Sequence, residues 1–359
     1  MSEGVKREQP LVICFATQGA GHREEQRISS LLDSVAPVVW PFDRGKKAKS
    51  GWRLFRELVG RRPDLVVMEG TGVAGGLAVL AARLLVGVRY VVSSGDAVGP
   101  YIGLNHRALA PVAAAYERAL CRWSAGFIGW TPYLVGRALT FGAPRAMTAA
   151  GWSDLPAEDD RERRRDELGI PADAIVFGLA GTLDWAPAVN YCYGLELVKG
   201  ILAVERDDLR VVIFGDGSGR KRLEDIAAGD ERVILPGRVP KETVPGHLAA
   251  LDVASLPQST DGVGSFRYTT KISEYLAAGL PVVTSEIPLG YDLDGGWIWR
   301  LSGNPWERRY VDAMARLMRN LTRSEIEERR RQVPREDPIF DRGRQERRVA
   351  AFVNDLLEK

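Results

Sequence analysis

An arginine, a lysine and a glutamate with the spacing for anion and sugar recognition stand close together within residues 261–283, DGVGSFRYTTKISEYLAAGLPVV. The second half of this stretch predicts a short helix running into a strand. Thr269 or Thr270 can cap its N-terminus, Gly279 stands where a left-handed C-terminal residue belongs, and Pro281 forbids continuation. Ile272, Tyr275 and Leu276 share one side at helical spacing, and Lys271 and Glu274, three apart, share the other. Arg267 lies just ahead, in a glycine-bearing loop. Loop N–H groups, a helix dipole and two cations attract an anion, and a carboxylate beside them accepts from sugar hydroxyls. A nucleoside diphosphate suits that combination. Taken alone, Lys271 and Glu274 also fit a solvated ion pair on a surface helix.

The elements that must position such a site alternate along the chain. Apolar, strand-like runs recur at 11–17, 35–42, 64–69, 88–94 and 124–130, separated by helix-like segments and by a polar loop, GDAVGPYIGLNH. Buried continuous strands between helices predict a parallel, doubly wound sheet, whose ligands gather at the carboxyl ends of the strands. Residues 17–22, 70–76, 93–100 and 130–132 then border one crevice. The alternation breaks near Ala150 in GWSDLPAEDD, an interdomain linker containing Pro156, and restarts at 174–181. Strand-like runs at 209–215, 232–237, 252–257 and 281–285 predict a second α/β unit, in which PAVNYCYGLELVKGILAV is helix-like. Charged helical segments follow Gly303. The expected organisation is a first domain over 1–155, a second over 160–342, and a final helix over 343–359.

Composition agrees with two soluble domains. The chain has 359 residues, 45% apolar and 27% charged, and single cores seldom outgrow about 300 residues. Residues 1–150 carry 19 Lys and Arg against 11 Asp and Glu, a balance of +8, whereas 151–359 carry 30 against 36, a balance of −6. Much of the basic excess is one cluster between Arg44 and Arg62, able to face an anionic partner or simply to be solvated. Cys14, Cys121 and Cys192 lack CxxC spacing, which argues against a disulfide framework or zinc site and for a reducing cytoplasm. The run LVICFA is too short for a signal sequence, and the long apolar region at 75–92 is interrupted by Arg83 and Arg89. The expected location is therefore the cytoplasm, with contact at the inner face of a membrane at most peripheral. Nucleic acid is not an expected partner.

Five blocks, VFGLAGTLDW, RVVIFGDGSG, RVILPGRVP, LAALDVASLPQSTDGVGS and KISEYLAAGLPVVTS, follow one another in the second half. In order and spacing they resemble the second domain of glycosyltransferase family 4 (group 1), in which a Pro-Ser-x-x-Glu-Gly-Phe-Gly loop precedes a Glu-Ala-Met-Ala-x-Gly-x-Pro-Val helix. Pro257, Ser259, the run from Asp261 to Gly264, and the run from Glu274 to Val282 carry the match. The first domain resembles the family only in its alternation and its glycine loop. The resemblance implies the GT-B architecture, an α/β protein of two Rossmann-like, doubly wound parallel-sheet domains facing across a cleft, with a hinge near 152–160 and the final helix crossing back onto the first domain. It implies a glycosyltransferase that moves a sugar from a nucleoside-diphosphate donor to an acceptor hydroxyl with retention, the leaving diphosphate taking the acceptor proton. On that likeness Glu274 holds the ribose hydroxyls, Lys271 and Arg267 neutralise the diphosphate, and Asp261 faces the donor sugar. The amides at Gly264 and Ser265 hold the distal phosphate or sugar, while Arg238 and Val239 receive the nucleobase. Gly19 and Gly21 let backbone approach the phosphates, and His22, at a helix start, contacts the sugar or a phosphate.

The departures from the family matter too. Twelve residues separate Asp261 from Glu274, so the loop is longer than the family's, and Phe266 stands where its first carboxylate would fall. Thr182 occupies the position of the family's clamping arginine, which makes Arg267 the expected substitute. In place of the family's histidine after the fourth strand stands Ser94-Gly95-Asp96. Asp96 is thus a candidate to orient the acceptor or act as general base, or else a turn cap. Asp184, beside Trp185 in a strand-end loop, is a candidate donor contact, whereas His247, Trp297, Trp299 and Trp306 read as structural. With no Asp-x-Asp and no His/Glu metal spacing, metal-independent chemistry is expected, and no cofactor beyond the nucleotide-sugar substrate. The acceptor stays open among polysaccharide, lipid carrier, protein and small molecule, as does the oligomeric state. Two alternatives keep the same fold: a nucleotide-sugar 2-epimerase, and a non-catalytic carbohydrate- or partner-binding protein. An NAD-dependent dehydrogenase is disfavoured, because the loop at Gly19 lacks the third fingerprint glycine.

Overall fold

Strands buried on both faces must be apolar at every position, and that is how the unbroken runs in the chain fold. The computed structural model describes residues 9–153 and 160–358; the linker expected around Pro156 lies outside them. The chain divides into two compact units, one of Met1–Gly151, Phe266–Tyr268 and Pro338–Lys359, the other of Trp152–Ser265 and Thr269–Asp337.

The first unit contains β1 (Val12–Ala16), β2 (Val38–Val39), β3 (Leu65–Glu69), β4 (Tyr90–Ser94), β5 (Gly126–Gly129) and β6 (Ala146–Thr148) in one parallel sheet of order β2-β1-β3-β4-β5-β6. Strands β1, β3, β4 and β5 are buried along their whole length. The run at 35–42 yields only the exposed edge stub β2, since Pro37 and Pro41 each lack the N–H a longer ladder needs. Strand β6, half-buried at the other edge, escapes the sequence pattern for want of an apolar run. Ile13, Phe15, Leu54, Met68 and Tyr90 belong to the core packed on this sheet. Part of the stretch read as a polar loop after β4 is instead the helix Val98–Asn105, which starts on the buried Ala97 and Val98. His106 follows this helix as its C-cap residue. The closing helix Arg342–Leu357 buries Val349 and Val353, and Arg89 donates to the Leu356 carbonyl at 2.7 Å.

The second unit contains β7 (Ile175–Ala180), β8 (Leu209–Phe214), β9 (Val233–Gly237), β10 (Val253–Leu256), β11 (Val282–Ser285) and β12 (Ile298–Leu301), all parallel, in the order β12-β11-β10-β7-β8-β9. Strand β12 was not legible as a strand: the exposed Arg300 interrupts its buried Ile298, Trp299 and Leu301 at the sheet edge. Trp297, fully buried just before it, packs inside the unit as expected. The segment 187–204 is not one helix. An antiparallel bridge joins Ala186 to Tyr191, and Gly194, at φ +93°, leads into the short helix Leu195–Leu202. Each sheet reverses its order once, between β1 and β3 in the first unit and between β7 and β10 in the second. Such switch points leave a crevice at the carboxyl ends of the strands, where ligands of doubly wound sheets bind. Among the described residues no helix is long and apolar enough to cross a membrane.

Candidate functional site

In the second unit the helix Thr270–Ala277 follows β10 and its long loop. Ile272, Tyr275 and Leu276 are buried, and the Tyr275 hydroxyl donates to the Ser255 carbonyl at 3.2 Å, fixing the helix on β10. Thr269 is its N-cap residue but makes no side-chain cap bond; its hydroxyl is buried without a partner. The half-buried Lys271 and Glu274 lie on the other side. Lys271 reaches the end of β7: a first side-chain carbon placed on Gly181 would stand 2.7 Å from Lys271 Cε. Its ammonium lies 5.1 Å from the centre of the Tyr193 ring, a cation–π distance. A fixed cation therefore sits at the switch point between β7 and β10.

The neighbouring loops are tied together. Gly219 donates to Leu183 O at 2.7 Å, Leu183 to Asp216 O at 3.0 Å, and Trp185 to Ser218 Oγ at 3.0 Å. Thr182 and Asp184 are exposed on this edge, and Asp184 Oδ1 accepts from the Ser218 amide at 3.4 Å. Arg238 is exposed and Val239 half-buried in the loop after β9. His247 Nδ1 donates to Thr243 O at 2.7 Å, and the ring packs edge-on to Phe214, a structural position.

The loop before the helix is shaped by Asp261. Its Oδ1 accepts from the Ser259 hydroxyl at 2.8 Å and from the amides of Val263 and Gly264 at 2.8 and 3.0 Å, while its carbonyl accepts from Ser265 N at 3.1 Å. The amides of Gly264 and Ser265, expected to face a phosphate, are thus satisfied by Asp261. Gly264 has a steric reason of its own, since a Cβ there would meet Ser259 O at 2.1 Å.

In the first unit the glycine loop also closes on itself. Gly19 donates to Ala16 O at 3.1 Å, Ala20 to Phe42 O at 2.9 Å, Gly21 to Glu25 Oε2 at 2.7 Å and His22 to Gly19 O at 3.3 Å. His22, which precedes the helix Arg23–Leu31, pairs through Nδ1 with Glu24. Two glutamates stand in the first helical turn, and every amide from 19 to 22 donates within the protein, so the loop is closed on itself in this structure. The phosphate role expected of Gly19 and Gly21 is not what their amides do in this structure.

Arg267 belongs to the first unit, although its sequence neighbours belong to the second. Thr131 Oγ1 donates to Phe266 O at 2.8 Å, the Arg137 guanidinium lies 5.4 Å from the Phe266 ring, and Tyr268 meets Tyr133 edge-on at 5.8 Å. So held, Arg267 Nε donates to Asp96 Oδ1, a pair 28% and 47% exposed. Two residues expected to do separate work are therefore bound to each other, while Lys271 belongs to the other unit.

The most deeply buried carboxylates, Glu69 and Glu196, carry no motif in the sequence. Glu69, at the end of β3, pairs with Arg27 at 2.9 Å and accepts from Trp130 Nε1 at 3.0 Å. Arg27 also donates to Ser93 Oγ at 3.3 Å and to Ala149 O, and stacks 4.4 Å over Trp130. Burial pushes the Glu69 carboxyl above its usual range, and the Arg27 charge draws it partway back. Glu196, in the second unit, accepts instead from neutral or backbone donors: Tyr191 OH at 2.8 Å, Ser255 Oγ at 2.9 Å and Gly194 N at 3.1 Å. Burial raises its pKa too. The signal available was a carboxylate ending the apolar run LVVME and another inside LELVKGIL. The three thiols are buried and free; burial pushes Cys14 and Cys121 up to about 12 and Cys192 up to about 11, leaving none poised as a nucleophile. No group of three or more His, Cys, Asp or Glu side chains poised for a metal occurs among the described residues.

Two family descriptions match the chain in succession: Glycosyl transferase 4-like domain over residues 6–150 and Glycosyl transferases group 1 over 174–320. The chain is a group 1 glycosyltransferase. Its GT-B fold is shared with solved structures at low identity. Sucrose-phosphate synthase from Thermosynechococcus elongatus aligns with a TM-score of 0.71 at 14% identity, covering 97% of this chain and 99% of that one. HepE of Anabaena, solved with UDP and glucose, aligns at 0.69 and 15%, covering 96% and 100%. A glycosyltransferase from Rickettsia africae aligns at 0.63 and 9%, covering 98% and 100%. No curated protein matches the sequence. In this glycosyltransferase the group 1 match contains Thr182, Asp184, Arg238, Asp261, Arg267, Lys271 and Glu274, and the 4-like match contains Gly19, Gly21, His22 and Asp96.

Proposed function

We propose that this glycosyltransferase takes its sugar from a uridine-diphosphate donor held at the carboxyl edge of the second sheet. The observation that carries the reading is Lys271, laid over Gly181 at the β7–β10 switch point, with Glu274 next along the same helix face. In this reading the ammonium balances the negative charge that gathers on the diphosphate as its bond to sugar C1 breaks. Glu274 accepts from the two ribose hydroxyls. The loop of Arg238 and Val239 receives the base, and the exposed Thr182 and Asp184 meet the diphosphate and the sugar. Asp261 keeps the loop of Gly264 and Ser265 in shape.

The acceptor oxygen forms its new bond to C1 on the face the diphosphate leaves, so configuration is retained, and its proton passes to the departing phosphate oxygen. Lys271 supplies the positive charge for this step. Asp96, on the first unit, is the group proposed to meet the acceptor, and His22 is proposed to contact the sugar or a phosphate. The choice of uridine is supported by HepE having been solved with UDP.

A thermal-shift series with UDP-, GDP-, ADP- and dTDP-sugars, followed by NMR of turnover with and without chelator, tests the proposal. A UDP-sugar should raise the melting midpoint, and product should keep the donor's anomeric configuration at an unchanged rate in chelator. Stabilisation by purine nucleotides alone, an inverted product or loss of activity in chelator would each overturn the corresponding part. Appearance of a sugar epimer without acceptor would favour the isomerase alternative.

A further inference from the structure

We infer that one helical face of the first unit docks on an anionic lipid bilayer. The helix Lys47–Arg61 exposes Lys49, Trp52, Arg53 and Arg56, spaced i, i+3, i+4 and i+7, while Leu54 and Leu58 on its opposite side are buried in the core. None of those three cations forms an ion pair among the described residues. Trp52, 61% exposed, stands among them. The helix Val73–Val86 packs against this one so closely that a Cβ on Gly51 would meet Ala74 O at 2.7 Å. It buries Ala78, Val79 and Ala82 in the same core and turns Leu77 and Leu84 outward, 54% and 68% exposed.

Two adjacent helices thus offer a cationic row with a tryptophan and an apolar row, both directed away from the sheet. Unpaired lysines and arginines are drawn to anionic headgroups, tryptophan favours the headgroup boundary, and exposed leucines gain by entering the acyl region. A nucleic acid would use the cations but leave the leucines in water. A symmetric second copy would bury the leucines but set like charges against one another. Both rows are used together by a bilayer. The inference is independent of the donor-site reading, since no residue is shared.

The test is co-sedimentation of the full chain with phosphatidylcholine vesicles, with and without phosphatidylglycerol, at low and high salt. Binding should require phosphatidylglycerol and weaken with salt. Each cation removed should cost about fivefold in partitioning, so Lys49→Ser/Arg53→Ser/Arg56→Ser should bind on the order of a hundredfold more weakly. Trp52→Ser/Leu77→Ser should lose about tenfold or more. All five positions are exposed, and an unchanged melting midpoint and solution activity would show that the variants fold. Wild-type binding that ignores phosphatidylglycerol, no binding at all, or a triple variant that binds like wild type would overturn the proposal. So would a dimer in size-exclusion chromatography that Trp52→Ser/Leu77→Ser dissolves, since the face would then be a subunit interface.

Discussion

The two switch points share a topology and differ in what fills them. Between β1 and β3, Thr17 closes the gap: its Oγ1 donates to Glu69 O at 3.2 Å and accepts from Gly72 N at 3.3 Å. The adjoining glycine loop spends its amides internally, one of them on Glu25, and a buried Arg27–Glu69 pair lies below. Between β7 and β10, Gly181 offers no side chain and Lys271 crosses it. Doubly wound topology therefore supplies a crevice twice, and side-chain chemistry makes one edge closed and self-neutralised, the other cationic. The cationic edge is the one proposed above to hold the diphosphate.

The comparison breaks first, and hardest, at Arg27. Arg27→Met leaves Glu69 as a buried, unpaired carboxylate and should cost roughly 3–5 kcal/mol in denaturant unfolding, with Arg27→Met/Glu69→Leu recovering much of it. Because the folded pKa of Glu69 lies above its unfolded value, its protonated form is the one burial favours, so the cost of Arg27→Met should be smaller at acid pH and grow as pH rises. Equal losses in single and double variants would mean that packing, not charge, holds this edge.

At the other edge the sharpest perturbation is steric. Gly181→Ala places a methyl against Lys271 and should lower kcat/KM by about tenfold or more, roughly 1.4 kcal/mol, with little change in melting midpoint. Full activity would show that the position of Lys271 is immaterial.

A smaller contrast concerns acid. In the second unit, side-chain hydrogen bonds from Arg206 and Arg232 hold Asp208 and Asp230 below the usual aspartate range. Their stabilisation is present above the unfolded pKa, about 4, and is lost as pH falls through the lower folded values. The melting midpoint should therefore fall below pH about 4, and Asp208→Asn/Asp230→Asn should flatten that limb. An unaltered limb would assign acid unfolding to other groups.

The smallest effect is expected at Arg267. A half-exposed pair contributes about 1 kcal/mol or less, and Arg267 is committed to Asp96. Arg267→Ala should leave donor affinity within about threefold of wild type, a change of under 1 kcal/mol. A loss as large as that of a Lys271 variant would restore Arg267 to the diphosphate.

Much of this was legible in the sequence. Strands buried on both faces announce themselves, and the helix of Lys271 and Glu274 carries its own periodicity and stop signals. Edge strand β6 was not legible, because a half-buried edge needs no apolar run, and β12 was not, because Arg300 interrupts its four residues. Glycine spacing shows where backbone can turn but not which acceptor meets the freed N–H; Glu25 and Asp261 took amides that the motif alone would leave for phosphate. The Arg267–Asp96 pair joins residues 171 apart, beyond any local pattern. Arg27 and Glu69 looked like ordinary charges until the sheet enclosed them.

The central claim is that the donor diphosphate rests on Lys271, and calorimetric titration of UDP into wild type and Lys271→Ala tests it most directly. The account predicts affinity at least tenfold weaker in the variant, about 1.4 kcal/mol or more, with an unchanged melting midpoint in the absence of ligand. UDP binding to Lys271→Ala as tightly as to wild type would contradict it.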